Sequence, residues 1–511
     1  MKNVIAAGDK TTVEAAQEIL WIGGNAYDAA VAAMFVAMVS EPTLTSAGGG
    51  GHLMALPESG SPVLFDFFAE MPSGEVIDSE LDFVSIYVNF GTADQEFHIG
   101  KGAVAVPGAV AGLLHVQEVL GSISRMDVLA PAIRAAKEGV ILSHIQGYLA
   151  TLLEPILTHD ERGRQLFAPQ GTLLGGGDRL VMSDFADFLE VLAHEGSDLV
   201  YKGEVAKIIV DWAGDGGLLK AEDLENYRVK ERTPLRTAFR GHTVLLNPPP
   251  AQSGLLIDVS LSLLENTGCA RKSPMPLKDL VTAFDVTNQV RRDYLAHGME
   301  GEIHESLTGR DDFPSYVESF HRLHSSDGAT SRSFSRGETT HISILDKKGN
   351  AASLTVTNGE GCGYVLPEAG FMLNNMLGEE DLNPGGFHRH QPGERLPSMV
   401  APTIVVSDGR PILLTGTAGS NRIRSVIVQI IAHVLCDGLE IQEATDAPRA
   451  HLEGTVLHVE PGMSEEDLME LENRYTVERW ESRNVFFGGA NSVMAEEGAG
   501  DPRRGGFSLT F

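Results

Sequence analysis

Apolar residues recur at helical spacing from Thr11 to Met38: Val13, Ala16, Ile19 and Leu20, then Ala30, Ala33 and Met34. Steps of three and four place one helix face in a core. Gly23-Gly24-Asn25 breaks the run, so the spacing predicts two helices joined by a tight turn. In "EPTLTSAGGGGHLMAL" the glycines Gly48, Gly49, Gly50 and Gly51 precede a short apolar strand ending near Leu56. This run lacks the Gly-Lys-Ser/Thr ending of a phosphate loop and follows no clear strand. Its glycines predict close approach of the backbone to a ligand or another chain segment. "VAVPGAVAGLLHVQEVLG", from Val104, reads as a short strand, a Pro-Gly turn and a helix, and "LAPAIRAAKEGV" as a helix ended by Gly139.

About residues 140–335 mix helices with "TVLLNPPPAQSGLLIDVSLSLL", in which Pro248, Pro249 and Pro250 stiffen a loop ahead of a further helix. Residues 325–338, "SSDGATSRSFSRGE", have no apolar period and predict an exposed, mobile linker. Beyond it the period changes to two. "THISILDKKGNAASLTVT" predicts a hairpin about residues 346–350, and "PTIVVSDGRPILLTG" a second one turning at Asp408-Gly409. Ile423, Val426, Ile427, Ile430, Ile431, Val434 and Leu435 then mark one face of a helix closed by Gly438. The linker thus divides a helix-rich part from a strand-rich part.

A chain of 511 residues with 42% hydrophobic and 21% charged residues is ordinary for a soluble globular protein. Its net charge of −31 excludes nucleic acid as a partner and disfavours an anionic membrane surface. Cys269, Cys362 and Cys436 are too few and too scattered for a disulfide framework or a zinc cluster. The first residues lack the pattern of a signal peptide, and no run of apolar residues is long enough for a membrane span. These features predict a cytoplasmic location. His321 and His324, and likewise His388 and His390, lack carboxylate or cysteine company at metal spacing and are expected at the surface. No cofactor motif is present.

Thr339, Thr340 and His341 follow the linker and open the first hairpin. Threonine has high β propensity, so the triplet can simply begin a strand. A threonine hydroxyl is also a weak nucleophile that needs a base. At a free N-terminus the α-amino group supplies one, with a pKa of about 8. Inside a chain this requires cleavage of the preceding bond, here between Glu338 and Thr339, and a mobile segment leading into a rigid strand suits that reaction.

The wider text resembles the γ-glutamyltransferase (γ-glutamyltranspeptidase) family of N-terminal nucleophile hydrolases. The resemblance runs nearly end to end, through "EPTLTSAGGGGHL", "VAVPGAVAGL", "NPPPAQSG", "TTHISILDKKGNAASLTVT", "GFMLNNMLGEEDLNP", "RLPSMVAPTIVV", "TGTAGSNRI" and "DPRRGG". It implies an α+β fold, a four-layer αββα sandwich. It also implies self-cleavage into a large subunit, residues 1–338, and a small one, residues 339–511, which pair with each other. Thr339 matches the family nucleophile and Thr357 the threonine that contacts the new N-terminus. Thr340 and His341 are expected to be structural. Gly419 and Ser420 match the oxyanion loop, where the family more often has two glycines; serine keeps the N–H. Each such donor is typically worth about 3–4 kcal/mol of barrier. Arg422 and Arg424 are expected at the surface or in ion pairs.

The resemblance frays around the acyl group. Family members grip the glutamyl α-carboxylate with an arginine early in the large subunit, but no arginine precedes Arg125 here, and Phe67-Phe68 stands in that region. Met376 replaces a glutamine, Glu379 an aspartate that holds the α-amino group, and Ser398-Met399 a serine pair. Asn358 matches a family asparagine if a gap is allowed. Lys101 or Arg395 is a candidate replacement cation. Three functions follow: a γ-glutamyltransferase or glutathione hydrolase acting on small-molecule amides, an amidohydrolase of the cephalosporin-acylase type acting on glutaryl-like acyl amides, and a non-enzymatic binding protein that kept the fold. Thr339, Thr357 and the oxyanion loop count against the last.

Overall fold

The computed structural model describes residues 1–77, 79–89, 94–296, 313–324, 339–383 and 385–511. The expected linker and Glu338 lie outside them. Two predicted helices open the fold, Lys10–Trp21 and Ala26–Ser40. Asp9 caps the first by accepting the Thr11 N–H (2.7 Å), and Asn25 forms a capping box with Asp28 on the second. Every residue of Ala26–Ser40 is buried, because this helix is enclosed by neighbouring helices and a sheet. A strand the periodicity does not reveal, Val4–Ala7, precedes them.

Seven antiparallel strands form one sheet, in the order Phe507–Thr510, Val4–Ala7, Thr340–Leu345, Ala351–Thr357, Gly50–Leu56, Val63–Phe67 and Lys230–Arg232. Six antiparallel strands form a second, in the order Gly498–Ala499, Ser492–Val493, Arg410–Thr415, Thr403–Ser407, His242–Leu246 and Leu235–Phe239. Both predicted hairpins are present. In the first turn Asp346 Oδ1 accepts the N–H groups of Lys348, Gly349 and Asn350. In the second, Asp408 and Gly409 both have positive φ (48° and 79°), as a tight two-residue turn requires.

The sheets face each other through Val4, Met54, Leu64, Leu245, Ile404 and Leu414. The helices Lys10–Trp21, Ala26–Ser40 and Ala109–Leu120 cover the outer face of the first sheet, and Arg125–Glu138 packs on Ala26–Ser40. The helices Gln252–Asn266, Leu277–Ala296 and Arg422–Ala432 cover the second. The layers are therefore αββα, each sheet burying both faces. The helix-rich and strand-rich parts do not form separate bodies. Residues before 339 supply four strands of the first sheet and two of the second, and residues after it supply the rest.

Candidate active site

Alternation along Thr340–Leu345 sends Ile342 and Ile344 to the helix layer and leaves His341 and Ser343 on the face toward the second sheet. The ladder to Ala351–Thr357 begins with Thr340 opposite Val356 and His341 opposite Thr355. Continuing it one residue outward sets Thr339 opposite Thr357, and opposite residues share a face. Both are buried, at 3% and 7% exposure. Thr357 Oγ1 accepts the Gly359 N–H (3.1 Å), and its strand is flanked on the other side by Gly50. The glycine run is needed there: a Cβ on Gly49 would lie 2.2 Å from the Thr357 carbonyl oxygen, and one on Gly51 2.3 Å from that of Thr355.

The two neighbours of Thr339 are engaged in holding the strand. Thr340 Oγ1 donates to Glu41 Oε2 (2.8 Å) at the end of Ala26–Ser40. Burial pushes the Glu41 carboxyl up to about 8. His341 bonds Thr355 Oγ1 (2.7 Å) and Ser343 Oγ (2.8 Å), and burial holds its pKa down at about 3, so it stays neutral. A Cβ on Gly416 would fall 2.3 Å from the His341 ring, so the loop after strand Arg410–Thr415 begins against the segment that Thr339 opens.

This loop continues to Gly419 (φ 112°) and Ser420 (φ 46°) and enters helix Arg422–Ala432. Among the described residues the backbone N–H groups of Gly419 and Ser420 donate to no acceptor. With the positive end of the helix behind them, they form a site for developing negative charge. Arg422 and Arg424 are not at the surface: their exposures are 4% and 3%. The Arg422 guanidinium lies 4.9 Å from the centre of the Phe486 ring. Arg424 donates to Asn288, and burial, reinforced by Arg291, holds its pKa down at about 10. Asn288 and Phe486, from distant parts of the chain, cover this face of the helix, so its charges turn inward.

The acyl-side residues converge from another direction. A Cβ on Gly359, two residues past Thr357, would lie 2.4 Å from Glu379 Oε1, which places that carboxylate beside the threonine pair. Glu379 is 8% exposed, and among the described residues its Oε1 has no hydrogen-bond partner. Burial first, and then the charge of Asp381, push its pKa up to about 8. Asn358 donates to the Leu373 carbonyl (3.3 Å), while its Oδ1 has no partner among the described residues. Met376 and Met399 join Phe68 in one apolar cluster. Ser398 Oγ accepts the Val400 N–H (3.1 Å).

Neither candidate cation is available. Arg395 donates to the Phe68 and Arg228 carbonyls and to the Tyr227 hydroxyl, and pairs with Asp66 and Glu70. Lys101 is directed to the Asp215 carbonyl (3.5 Å) beside Trp212. The histidines are used locally: His324 with Asp279 (2.7 Å), His390 with Glu394 (3.3 Å), and His388 with the Gly102 carbonyl (2.8 Å). His321 is exposed, with its ring edge-on to Phe320.

Several residues escape a reading of the sequence. Asn375 Oδ1 accepts the N–H groups of Glu360 (2.9 Å) and Gly361 (3.3 Å), fixing the turn after Thr357. Gln252 donates its N–H to the Ser398 carbonyl (2.8 Å), and its Oε1 and the Ser253 hydroxyl are buried without partners among the described residues. Asp381 receives the Ser420 hydroxyl. The signal available for Gln252 and Ser253 is a polar pair directly ahead of the apolar run Leu255, Leu256 and Ile257.

A sequence model described as Gamma-glutamyltranspeptidase matches residues 12–511. The chain is 30% identical over 500 residues to the glutathione hydrolase proenzyme of Escherichia coli (strain K12), covering 92% of this chain and 85% of that one. It is 31% identical over 471 residues to the acylase ACY 1 proenzyme of Pseudomonas sp. (strain V22), covering 88% and 82%. Among solved structures, the cephalosporin acylase from Bacillus halodurans superposes with a TM-score of 0.84 at 22% identity, covering 99% of this chain and 95% of that one, a likeness of fold. With the αββα layers, these matches establish that the chain belongs to the gamma-glutamyltranspeptidase family of N-terminal nucleophile enzymes.

Proposed function

We propose that the chain cleaves itself between Glu338 and Thr339, and that the freed Thr339 then transfers or hydrolyses γ-glutamyl amides through an acyl-threonine intermediate. The register that brings Thr339 opposite Thr357 carries this reading. The Thr339 amine takes the hydroxyl proton as the oxygen attacks the amide carbonyl. The N–H groups of Gly419 and Ser420 receive the oxyanion. The amine returns the proton to the leaving nitrogen, and water or an acceptor amine then attacks the acyl-threonine. Thr357 Oγ1 orients the amine. Because strands from both sides of the cleavage pair with each other in both sheets, the two products stay together.

Mass spectrometry of the purified protein is expected to show fragments of 338 and 173 residues, the two parts of the 511-residue chain. Thr339→Ala is expected to remain one inactive chain. Intact wild type that still hydrolyses a γ-glutamyl anilide would remove the mechanism.

A second reading, hydrolysis of glutaryl-like amides, draws on the apolar cluster of Phe68, Met376 and Met399 and on the engagement of Arg395. Loss of a charged hydrogen-bond partner typically costs about 2–3 kcal/mol, some two orders of magnitude in affinity. The ratio of kcat/KM for γ-glutamyl and glutaryl anilides separates the two. A ratio near one, or below it, favours the acylase reading. A ratio above about 10⁴ identifies a pocket with strong polar recognition and favours the glutamyl reading.

A further inference from the structure

We infer that Asp381 is a positioning residue for the oxyanion loop, the group that lets serine occupy its second position. The inference rests on the reading of Gly419 and Ser420 as the N–H pair facing the tetrahedral intermediate. Ser420 has φ of 46°, in the left-handed region that side-chain crowding closes to most residues other than glycine. Its N–H can point into the site only while that conformation is held. Asp381 grips this turn with both carboxylate oxygens. Oδ2 accepts the Ser420 hydroxyl, and Oδ1 accepts Asn421 Nδ2 (2.7 Å). Two consecutive residues at the helix entrance are thus tied to one carboxylate that is itself 5% exposed.

The carboxylate is fixed in turn. Arg291 Nη2, on helix Leu277–Ala296, lies 3.4 Å from Asp381 Oδ1. Asn383 Nδ2 donates to the carbonyls of Met376 (2.9 Å) and Glu379 (2.8 Å), locking the loop that carries Asp381. A charged acceptor makes these bonds stronger than neutral ones. A glycine at position 420 would adopt the same backbone without an anchor. Serine adopts it because the anchor is present. Arg291 belongs to residues 1–338, and Asp381 and Ser420 to residues 339–511, so the contact also couples the two parts of the chain to the shape of the oxyanion site.

The test is a double-mutant cycle on the mature enzyme with Asp381→Asn, Ser420→Gly and the double variant. The glutaryl anilide is the substrate, because it lacks the ammonium whose binding would respond to any change at Glu379. Asp381→Asn is expected to lower kcat by about 10- to 100-fold, a large part of what one oxyanion donor is typically worth, with KM changed less than about threefold. Introduced into the Ser420→Gly background, the same change is expected to cost less than about threefold, since glycine holds the turn unaided. The inhibition constant of a boronate that forms a tetrahedral adduct on the Thr339 hydroxyl is expected to rise in step with the loss of kcat. Equal losses in both backgrounds, or a loss confined to KM, would overturn the inference. Should Asp381→Asn fail to fold, Arg291→Ala carries the same cycle, and a loss undiminished by Ser420→Gly overturns the inference equally. If wild type turns over neither anilide yet binds the boronate, the proposed substrate class fails, and the boronate constants of the same variants decide on Asp381.

Discussion

A carboxyl group with a pKa of about 8 is ionised in only about a tenth of molecules at pH 7, and Glu379 is such a group. It stands where family members hold the α-amino group of the substrate. Only its ionised form attracts an ammonium, so binding of a γ-glutamyl substrate carries the cost of that fraction, while a glutaryl analogue carries none. The sign follows from the direction of the shift. Burial and Asp381 favour the neutral acid, ionisation grows as pH rises, and the γ-glutamyl substrate gains. The ionised fraction is about 1% at pH 6, about 9% at pH 7 and about half at pH 8. The ratio of kcat/KM for γ-glutamyl over glutaryl anilide should therefore rise about ninefold from pH 6 to 7, about fivefold more to pH 8, and then level off. Taking the ratio removes the titration of the Thr339 amine, which both substrates share. The assay is anilide release by the mature enzyme at matched ionic strength. Glu379→Gln should flatten the profile. A wild-type ratio that stays constant over this range, or falls, would show that Glu379 does not receive the substrate ammonium.

Three further outcomes can be checked directly. Thr357→Val should slow both self-cleavage and anilide turnover while leaving the circular dichroism spectrum unchanged, because it removes the hydroxyl opposite Thr339 but keeps a β-branched strand residue; wild-type rates in the variant would exclude Thr357 from the site. Thr339→Ser should still cleave and turn over, since it keeps the hydroxyl and the new amine, whereas Thr339→Ala should do neither; gels and anilide release distinguish the two. Glu41 keeps its proton in the folded state up to about pH 8 but releases it near 4.5 when unfolded, so folding stability should decline as pH rises through that window, by on the order of 5 kcal/mol. Thermal melts of Glu41→Gln should lack most of this decline, and parallel pH dependences for variant and wild type would place the effect elsewhere.

Local pattern makes the strand that follows Thr339 legible. Period-two alternation in Thr340–Leu345 and Ala351–Thr357, joined by an Asp-and-Gly turn, fixes a hairpin, and the hairpin fixes which hydroxyls meet. The glycine run was legible as a place of close approach, and its partner proved to be the Thr357 strand. The family's own motifs pointed to the layers, but the interleaving of the two parts was not readable from the change of composition at the linker. That change tracks where strands lie in sequence, whereas sheet order is set by contacts between segments hundreds of residues apart.

The burial of Arg422 and Arg424 was hidden for the same reason. An apolar stripe through Ile423, Val426, Ile427 and Ile430 marks one buried face, and the charges on the other face read as solvent-exposed or ion-paired. Whether a charged face is solvated depends on what covers it. Here Asn288 accepts from Arg424, more than a hundred positions earlier in the chain. Asp381 is inconspicuous for the same reason: in "GEEDLNP" it is one acid among three, and what distinguishes it is the hydroxyl and amide it meets some forty residues later. A serine in place of the second oxyanion glycine is a visible departure in the sequence. Its compensation is not, because left-handed backbone at a non-glycine residue is sustained by tertiary partners rather than by its neighbours in the chain. The departure and the compensation together are why Ser420 can stand where glycine is usual: the side chain that opposes the turn also supplies the hydroxyl by which Asp381 holds it.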